Sequence, residues 1–209
     1  MLIPGETVRA ISVGDLTLEG RLWSPPHGAA KGLGLVCHPH PVLGGDMDNK
    51  VVIHLVRALQ ELHFTTLRFN FRGTGRSGGE HDEGRGEQED ARAALELLRQ
   101  HGEGEPCVVA GYSFGSYVGQ AATCWDEAVT HRILVAPPLG LFDFGFLKVL
   151  PGKVLILVGE FDPVCMPEDA SAHLGSTAIH LAVCPGADHV FTGAGPWIRE
   201  QVTRFIAEG

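Results

Sequence analysis

The sequence predicts an α/β protein built on a mostly parallel β-sheet. Six short apolar runs alternate with stretches whose apolar residues recur at helical spacing. The runs are apolar throughout rather than at every second residue, which is typical of strands covered by helices on both faces of a sheet. Repetition of strand and helix along a chain favours parallel strands joined by right-handed crossovers.

An antiparallel hairpin is expected first, before the parallel strands. Residues 8–13 and 16–23 alternate apolar and polar side chains, and Gly14-Asp15 supply a tight turn between them. The six candidate parallel strands that follow are residues 33–37, 65–69, 107–110, 133–136, 154–158 and 179–183.

Three helices are predicted from apolar stripes that would pack on this sheet. In each stripe, apolar side chains recur every three or four residues and therefore share one face. The last helix is expected to begin near Pro196, since proline is favoured in a first helical turn. The stripes are Leu55, Leu59 and Leu62, then Ala91, Ala94, Leu95 and Leu98, and finally Ile198, Val202, Phe205 and Ile206.

Composition and charge indicate how many domains the chain forms and which classes of partner are disfavoured. A chain of 209 residues that is 44% hydrophobic suits a single domain over residues 1–209. A formal net charge of −9 disfavours nucleic acid and anionic lipid as partners, because both require a basic face. A small-molecule substrate is expected, on a monomer or small homo-oligomer.

The sequence leads us to expect no leader, no membrane segment and no disulfide framework. The N-terminus lacks basic and apolar regions of a signal peptide, and no apolar run approaches the ~18 residues of a membrane span. Five cysteines, an odd number, fit reduced thiols rather than paired bridges or a zinc site. We therefore expect a cytoplasmic protein.

The segment Gly111-Tyr112-Ser113-Phe114-Gly115 has the pattern G-x-S-x-G directly after an apolar run. A serine on a very tight turn between strand and helix projects its hydroxyl into a site, and the flanking glycines prevent collisions there. The alternative is a purely structural interpretation, in which the segment is a glycine-rich turn that happens to contain a serine. Position and context favour Ser113 as a nucleophile.

A serine nucleophile needs a base, and the base needs an anionic partner that fixes its tautomer. Two loops after later strands supply Asp162 and His189, so the chain order is Ser, Asp, His, as on α/β-hydrolase sheets. Glu160 and Asp188 are rival acids. We favour Asp162, because Asp-Pro ends its loop with a short, rigid side chain.

An oxyanion formed during acyl transfer requires two N–H donors. The backbone of Phe114 is expected to supply one, and the loop after the strand at 33–37 the other. In that loop Pro39 and Pro41 have no N–H, so His40 is preferred over Val42 and the residues beyond. The histidines could instead simply hydrogen-bond neighbouring backbone, and they lack the companions of a metal site, so no metal or cofactor is expected.

Four residues are candidates for contact with substrate. They are His38, Tyr112, Phe142 and Phe144, although the two phenylalanines could equally belong to the core. The segment 137–153 is too short for a cap domain, so an open site is predicted. Arg72 is expected to pair with Asp90 or a neighbour rather than with substrate.

Several motifs together resemble one family. The set resembles small, lidless bacterial α/β-hydrolases described as predicted hydrolases or esterases, over about residues 30 to 208. The resemblance implies the α/β-hydrolase fold without a cap, and a triad of Ser113, Asp162 and His189. Serine at the turn of residues 111–115 distinguishes the chain from dehalogenases and epoxide hydrolases, which carry aspartate there, and from dienelactone hydrolases, which carry cysteine. The motifs are residues 38–41, 45–52, 68–73, 86–88 and 111–115.

The leading hypothesis is hydrolysis of carboxylic esters with small to medium acyl groups through an acyl-enzyme. A thioesterase, a short-peptide hydrolase and a catalytically silent binding module on the same fold are the alternatives. Nucleotide binding at residues 73–78 is disfavoured, since this glycine-rich stretch matches G-x-G-x-x-G but does not open a helix.

Overall fold

The strands among the described residues form one sheet. The structure is a computed structural model that describes residues 3–27, 29–102, 106–172 and 179–208. Within these ranges, eight strands lie in the order β1-β2-β4-β3-β5-β6-β7-β8. Pairing is antiparallel for β1 with β2 and for β2 with β4, and parallel elsewhere. The strands are β1 Thr7–Val13, β2 Leu16–Trp23, β3 Leu33–Cys37, β4 Thr65–Phe69, β5 Cys107–Tyr112, β6 His131–Val135, β7 Lys153–Gly159 and β8 Ile179–Cys184.

Helices cover both faces of this sheet, as predicted. On one face α1 packs against α5, and on the other α2 packs against α3. Asn49 begins α1 by accepting a hydrogen bond from the Val51 N–H at 2.9 Å, the usual role of an N-cap side chain. The helices are α1 Lys50–Glu61, α2 Arg85–Gln100, α3 Phe114–Ala122, α4 Pro167–Ser171 and α5 Gly195–Ala207.

The four central strands explain why their sequences are apolar throughout. Every residue of β3, β4, β5 and β6 is buried. Successive side chains point to opposite faces of a strand. In β5, Val108 accordingly packs in the cluster beneath α1 and α5, and Val109 in the cluster beneath α2 and α3.

The helical stripes are confirmed with one small difference. Ala91, Ala94, Leu95 and Leu98 are all buried in α2, and Pro196 lies in the first turn of α5. Leu62 does not belong to α1, which ends at Glu61, but follows it as the C-cap and still packs against the core.

The segment between β6 and β7, described in full, contains no cap domain. Its residues 136–152 include one short 3-10 helix at Gly145–Lys148. The carboxyl edge of the parallel strands is therefore left without a lid, as predicted. Among the described residues, no helix has the length and apolarity needed to cross a membrane. All five cysteines are free thiols.

The glycine-rich loop after β4 is a closed turn that packs on the hairpin. The Gly73 N–H donates to the Gly78 carbonyl at 3.0 Å, and the Gly78 N–H donates to the Thr17 carbonyl at 2.9 Å. The next helix, α2, begins only at Arg85. This loop therefore lacks the strand-to-helix geometry of a nucleotide-binding turn.

Candidate active site

Three loops at the carboxyl edge of the sheet bring the predicted triad together. Ser113 follows β5, Asp162 lies just after β7, and His189 lies in the loop after β8. These strands share one parallel part of the sheet, so their carboxyl ends meet at one edge, where ligands bind in such folds.

Ser113 occupies a sharp turn between β5 and α3. Its backbone has φ 51° and ψ −121°, a region that a residue with a side chain rarely adopts. The turn is held on both sides: the Ser113 N–H donates to the Val135 carbonyl at 2.8 Å, and the Ser113 carbonyl accepts from the Ser116 N–H at 2.9 Å. The tight strand-to-helix turn predicted from the motif is therefore present, with backbone strain at Ser113, and has the form known as a nucleophile elbow.

The two glycines of the motif are required by close approach of the backbone. A Cβ at Gly111 would lie 2.3 Å from the Gly115 carbonyl oxygen in the first turn of α3. A Cβ at Gly115 would lie 2.3 Å from the His38 carbonyl oxygen just beyond β3. Glycine at both positions therefore lets helix and strands converge beneath Ser113, as expected from the sequence.

A continuous hydrogen-bonded chain joins the three triad residues. His189 Nε2 lies 3.1 Å from Ser113 Oγ, and His189 Nδ1 lies 3.0 and 2.9 Å from the two Asp162 oxygens. Asp162 is only 1% exposed, and its Oδ1 also accepts the N–H groups of Val164 and Cys165 at 2.8 and 3.0 Å. These donors stabilise a buried carboxylate and fix its direction.

The two rival acids are engaged elsewhere. Glu160 Oε2 accepts the Gly186 N–H at 2.7 Å, and Asp188 Oδ1 accepts the Val190 N–H at 3.1 Å. Each therefore stabilises a turn in its own neighbourhood. The structure places Asp162, rather than either rival, at hydrogen-bonding distance from His189.

Tyr112 supports the histidine loop. Its hydroxyl donates to the His189 carbonyl oxygen at 2.8 Å. Burial, followed by the charges of Asp162 and Asp188, raises the pKa of Tyr112 to about 12, so the phenol keeps the proton that it donates. The ring borders the cavity of Ser113, but its polar atom is already used within the protein.

A cavity of about 250 Å³ contains Ser113, His189 and His40 in its wall. Phe114 is the first residue of α3, where backbone N–H groups have no partner inside the helix. Among the described residues, the backbone N–H groups of His40 and Phe114 donate no hydrogen bond. The His40 and Phe114 rings lie 4.7 Å apart, so the two predicted oxyanion donors belong to residues that pack together.

His38 does not have the position expected of a substrate contact. It is fully buried, its Nε2 accepts the Phe71 N–H at 3.0 Å, and its Nδ1 therefore carries the proton and donates to the Pro39 carbonyl at 2.6 Å. Burial lowers the pKa of His38 to about 4, which keeps the ring neutral. Both nitrogens serve the scaffold, which corrects the placement of this residue among the substrate contacts.

Phe142 and Phe144 also lie apart from the cavity of Ser113, since neither forms its wall. Phe142 stacks on Tyr117 at a centroid distance of 4.5 Å, and Phe144 meets the same ring edge-on at 5.5 Å. Phe144 is only 3% exposed. The structure thus favours the core interpretation of these two residues over the acyl-pocket interpretation.

The loop that follows His40 is held by two buried polar residues that sequence reasoning missed. Asn70 Oδ1 accepts the Met47 N–H at 2.9 Å, and Arg68 donates to the Met47 carbonyl at 2.7 Å. Arg68 also donates twice to Glu6, at 2.8 and 2.7 Å, and once to Asp48. A charged residue inside the apolar run of β4 is a sequence signal that a buried partner is needed at Arg68, although it does not identify that partner.

A second missed group lies behind His40. The His81 ring lies 4.8 Å from the His40 ring, and His81 Nδ1 lies 2.7 Å from the buried Glu87 carboxylate. Glu87 also accepts the N–H groups of Asp82 and Gly84, both at 2.8 Å. Among the described residues, no group of three or more histidine, cysteine or acidic side chains has the arrangement of a metal site.

The geometry of this site agrees with the family of known proteins that the chain resembles. A family model for the alpha/beta hydrolase fold matches residues 35–143, a little more than half of the chain. The protein belongs to the alpha/beta hydrolase family. An uncharacterized protein of Rickettsia prowazekii (strain Madrid E) is 34% identical in an alignment of length 170 that covers 76% of this chain and 71% of that protein.

Two solved structures resemble this alpha/beta hydrolase over nearly its whole length. An alpha-beta serine hydrolase homologue from Coxiella burnetii is 36% identical, with a TM-score of 0.86 over 98% of this chain and 99% of that one. A Xanthomonas campestris structure described as a serine hydrolase without lid is 32% identical, with a TM-score of 0.84 over 100% and 96%. The predicted resemblance to small, lidless α/β-hydrolases is confirmed, and these relatives support a hydrolase.

Proposed function

We propose that this alpha/beta hydrolase cleaves carboxylic esters of small to medium acyl groups through an acyl-enzyme. The observation that carries the proposal is the unbroken hydrogen-bonded chain from Ser113 through His189 to Asp162, which opens on the cavity at the sheet edge. A serine, a base and a buried acid in this geometry are the parts that acyl transfer requires.

In the acylation step, Ser113 Oγ attacks the ester carbonyl carbon while His189 Nε2 accepts the serine proton. Asp162 stabilises the imidazolium that forms and keeps Nδ1 protonated. The carbonyl oxygen becomes an oxyanion, for which the N–H groups of Phe114 and His40 are the proposed donors. Each such donor is commonly worth a factor of about 100 to 1000 in rate.

The tetrahedral intermediate collapses when His189 returns its proton to the leaving oxygen, so that the alcohol departs and the acyl group stays on Ser113. Water then gives its proton to His189 and attacks the acyl carbon, which releases the acid and restores the serine. No step requires a metal or a cofactor.

The dimensions of the catalytic cavity support a small or medium acyl group. At about 250 Å³ it is below the roughly 300 to 1,000 Å³ typical of sites that enclose a drug-sized ligand. Its rim includes the exposed apolar side chains of Leu43 and Val190, which are 84% and 59% exposed. With no cap over it, the site has apolar contact at the entrance but no deep tunnel for a long chain.

The first test is chemical labelling, since it requires no knowledge of the substrate. We expect a fluorophosphonate to add once to wild-type protein and not at all to Ser113→Ala, as measured by intact mass. A folded wild-type protein that takes up no label would contradict the proposal and favour a catalytically silent module.

The second test separates esters from related acyl compounds. Thioesters and short peptides undergo the same acyl transfer, so the proposal rests on relative rates. With p-nitrophenyl esters, acyl thioesters and aminoacyl anilides of matched acyl groups, we expect the highest kcat/KM for the esters. A higher value for thioesters or anilides would reassign the substrate class.

A further inference from the structure

A second and larger cavity lies beside the cavity of Ser113. It has a volume of about 730 Å³, and we call it the α1–α5 groove. Its walls are the N-terminal turn of α1, residues 190–193 directly after His189, and the first turn of α5. The two cavities share Asn49, Tyr112 and Val190, so they are neighbours with a common wall.

We propose that the α1–α5 groove is the leaving-group subsite and that it takes the bulky, polar alcohol part of the ester. This inference rests on the proposed function. In acyl transfer the leaving oxygen must receive its proton from His189 Nε2, so the alcohol lies on the histidine side of the reacting carbon. The groove begins at Val190, on that side, whereas His40 and Phe114 do not form its walls.

The volumes of the two cavities support the same assignment, with the acyl group in the cavity of Ser113 and the alcohol in the α1–α5 groove. The groove is within the range of about 300 to 1,000 Å³ usual for ligand sites, while the cavity of Ser113 is below it. At the far end, glycine lets the first turn of α5 pack against α1, since a Cβ at Gly195 would lie 1.9 Å from His54 Nε2, while a Cβ at Gly193 would meet no heavy atom within 4 Å. Most of the substrate volume is therefore expected beyond His189.

The walls of the groove indicate a polar occupant. They include the side chains of Lys50, His54 and Thr192, each of which carries a hydrogen-bond donor. Arg199 donates to His54 Nδ1 at 3.2 Å, which places the remaining proton of a neutral ring on Nε2. Burial first, and then the charges of Arg199 and Arg57, lower the pKa of His54 and favour this neutral form. Donors on several walls suit a leaving group rich in hydroxyl oxygens.

The test compares acetate esters of one acyl group with three alcohols: ethanol, octanol and glycerol. Two added hydrogen bonds of about 0.7 kcal/mol each correspond to about a tenfold gain in kcat/KM. We expect that advantage for the glycerol ester over the ethyl ester, and none of comparable size for octyl. Equal rates for all three esters, or a preference for octyl, would overturn the polar leaving-group assignment.

Two variants that narrow the groove from different walls test whether the groove itself causes this preference. Thr192→Trp and Lys50→Trp should each lower the ratio of kcat/KM for the glycerol ester to kcat/KM for the ethyl ester from about ten to about one. The matched control is Leu141→Trp, because Leu141 is 73% exposed and forms the wall of neither cavity. This control should keep the wild-type ranking. Loss of the ranking in all three variants would contradict the proposal.

Deacylation distinguishes a leaving-group subsite from an acyl subsite. The alcohol has departed before water attacks, so the deacylation rate constant of the acetyl-enzyme should be unchanged in Thr192→Trp. If the groove instead held the acyl chain, the variant would change deacylation and discriminate between acyl lengths, which would overturn the assignment. Absence of any ester hydrolysis and of Ser113 labelling would instead be failure of the proposed function.

Discussion

Asp162 determines how the imidazole of His189 is presented to Ser113. The carboxylate contacts Nδ1 through both oxygens, and two backbone N–H groups hold it from behind. An acceptor at Nδ1 requires the proton to be on that nitrogen, which leaves Nε2 unprotonated and able to take the serine proton. In the proposed mechanism, the base is therefore prepared before any substrate binds.

Replacing Asp162 with asparagine should preserve the fold and greatly reduce the rate. An amide N–H can face Nδ1 and favour the wrong tautomer, so we expect kcat to fall by about 10⁴. Steady-state kinetics on a p-nitrophenyl ester, with thermal unfolding to verify the fold, measures this. Glu160→Gln is the control, and its kcat should stay within about tenfold of wild type. If Glu160→Gln caused the larger loss, the assignment of the acid would be wrong.

His38 should make stability depend on pH. The folded-state pKa of His38 is about 4, against an ordinary value of 6.5. Between pH 6.5 and pH 4, the unfolded chain therefore binds a proton at this residue that the folded chain does not bind. Stability contributed by the neutral ring is complete above 6.5 and is lost as the pH falls towards 4, by about 3 kcal/mol. Urea unfolding should show a shallower decline in His38→Gln than in wild type. Parallel declines in the two proteins would contradict this prediction.

The elbow is an element whose geometry depends on two glycines. Gly115→Ala places a methyl group against the carbonyl oxygen of His38, which belongs to rigid backbone beside β3. We expect a loss of about 1 to 3 kcal/mol in unfolding free energy from overpacking, together with a large loss of activity as Ser113 and the Phe114 N–H are displaced. Thermal unfolding and labelling by a fluorophosphonate measure the two effects.

Gly140→Ala is the matched control for the elbow, since no heavy atom lies within 4 Å of the Cβ position at Gly140. Stability and labelling should both remain close to wild type, because the added methyl group meets open space. A similar loss in the two variants would mean that close approach at Gly115 is not the cause.

Elements were predictable from sequence wherever burial imposes a pattern. The central strands lie within two residues of their predicted bounds, because a strand buried on both faces must be apolar along its length. The five-residue helix Pro167–Ser171 gave no such signal, since it is too short to form an apolar stripe. Leu62 kept the helical spacing but lies beyond the last turn, as helix ends are set by local capping.

At the scale of the whole molecule, the sequence allowed a prediction of the proposed triad residues but not of the network that supports their loops. Ser113 belongs to a local motif, and the two later loops follow strands in an order that the fold dictates. Arg68, in contrast, contacts Glu6 across 62 positions of sequence and the loop at Met47 across 21. No local pattern encodes such a contact, and only the folded chain reveals that β4 joins the N-terminal segment to the loop beside His40.

The same network yields a prediction for the stability of the whole chain. The side chains of Arg68 and Glu6 are 0% and 1% exposed, so removal of the cation leaves a buried carboxylate without its charge partner. We expect Arg68→Met to lower the free energy of unfolding by about 3 to 5 kcal/mol in urea. This is a large fraction of the roughly 5 to 15 kcal/mol that stabilises a typical domain.

The double variant Arg68→Met with Glu6→Gln separates lost charge pairing from lost packing. A neutral amide in place of the carboxylate removes the uncompensated charge, so the double variant should be more stable than Arg68→Met alone. Esterase kinetics should recover less than stability does, because Met47 and the loop beside His40 still lack their donor from β4. If the two substitutions were simply additive, the charge of Glu6 would not be what destabilises the single variant, and packing of the arginine stem would explain the loss.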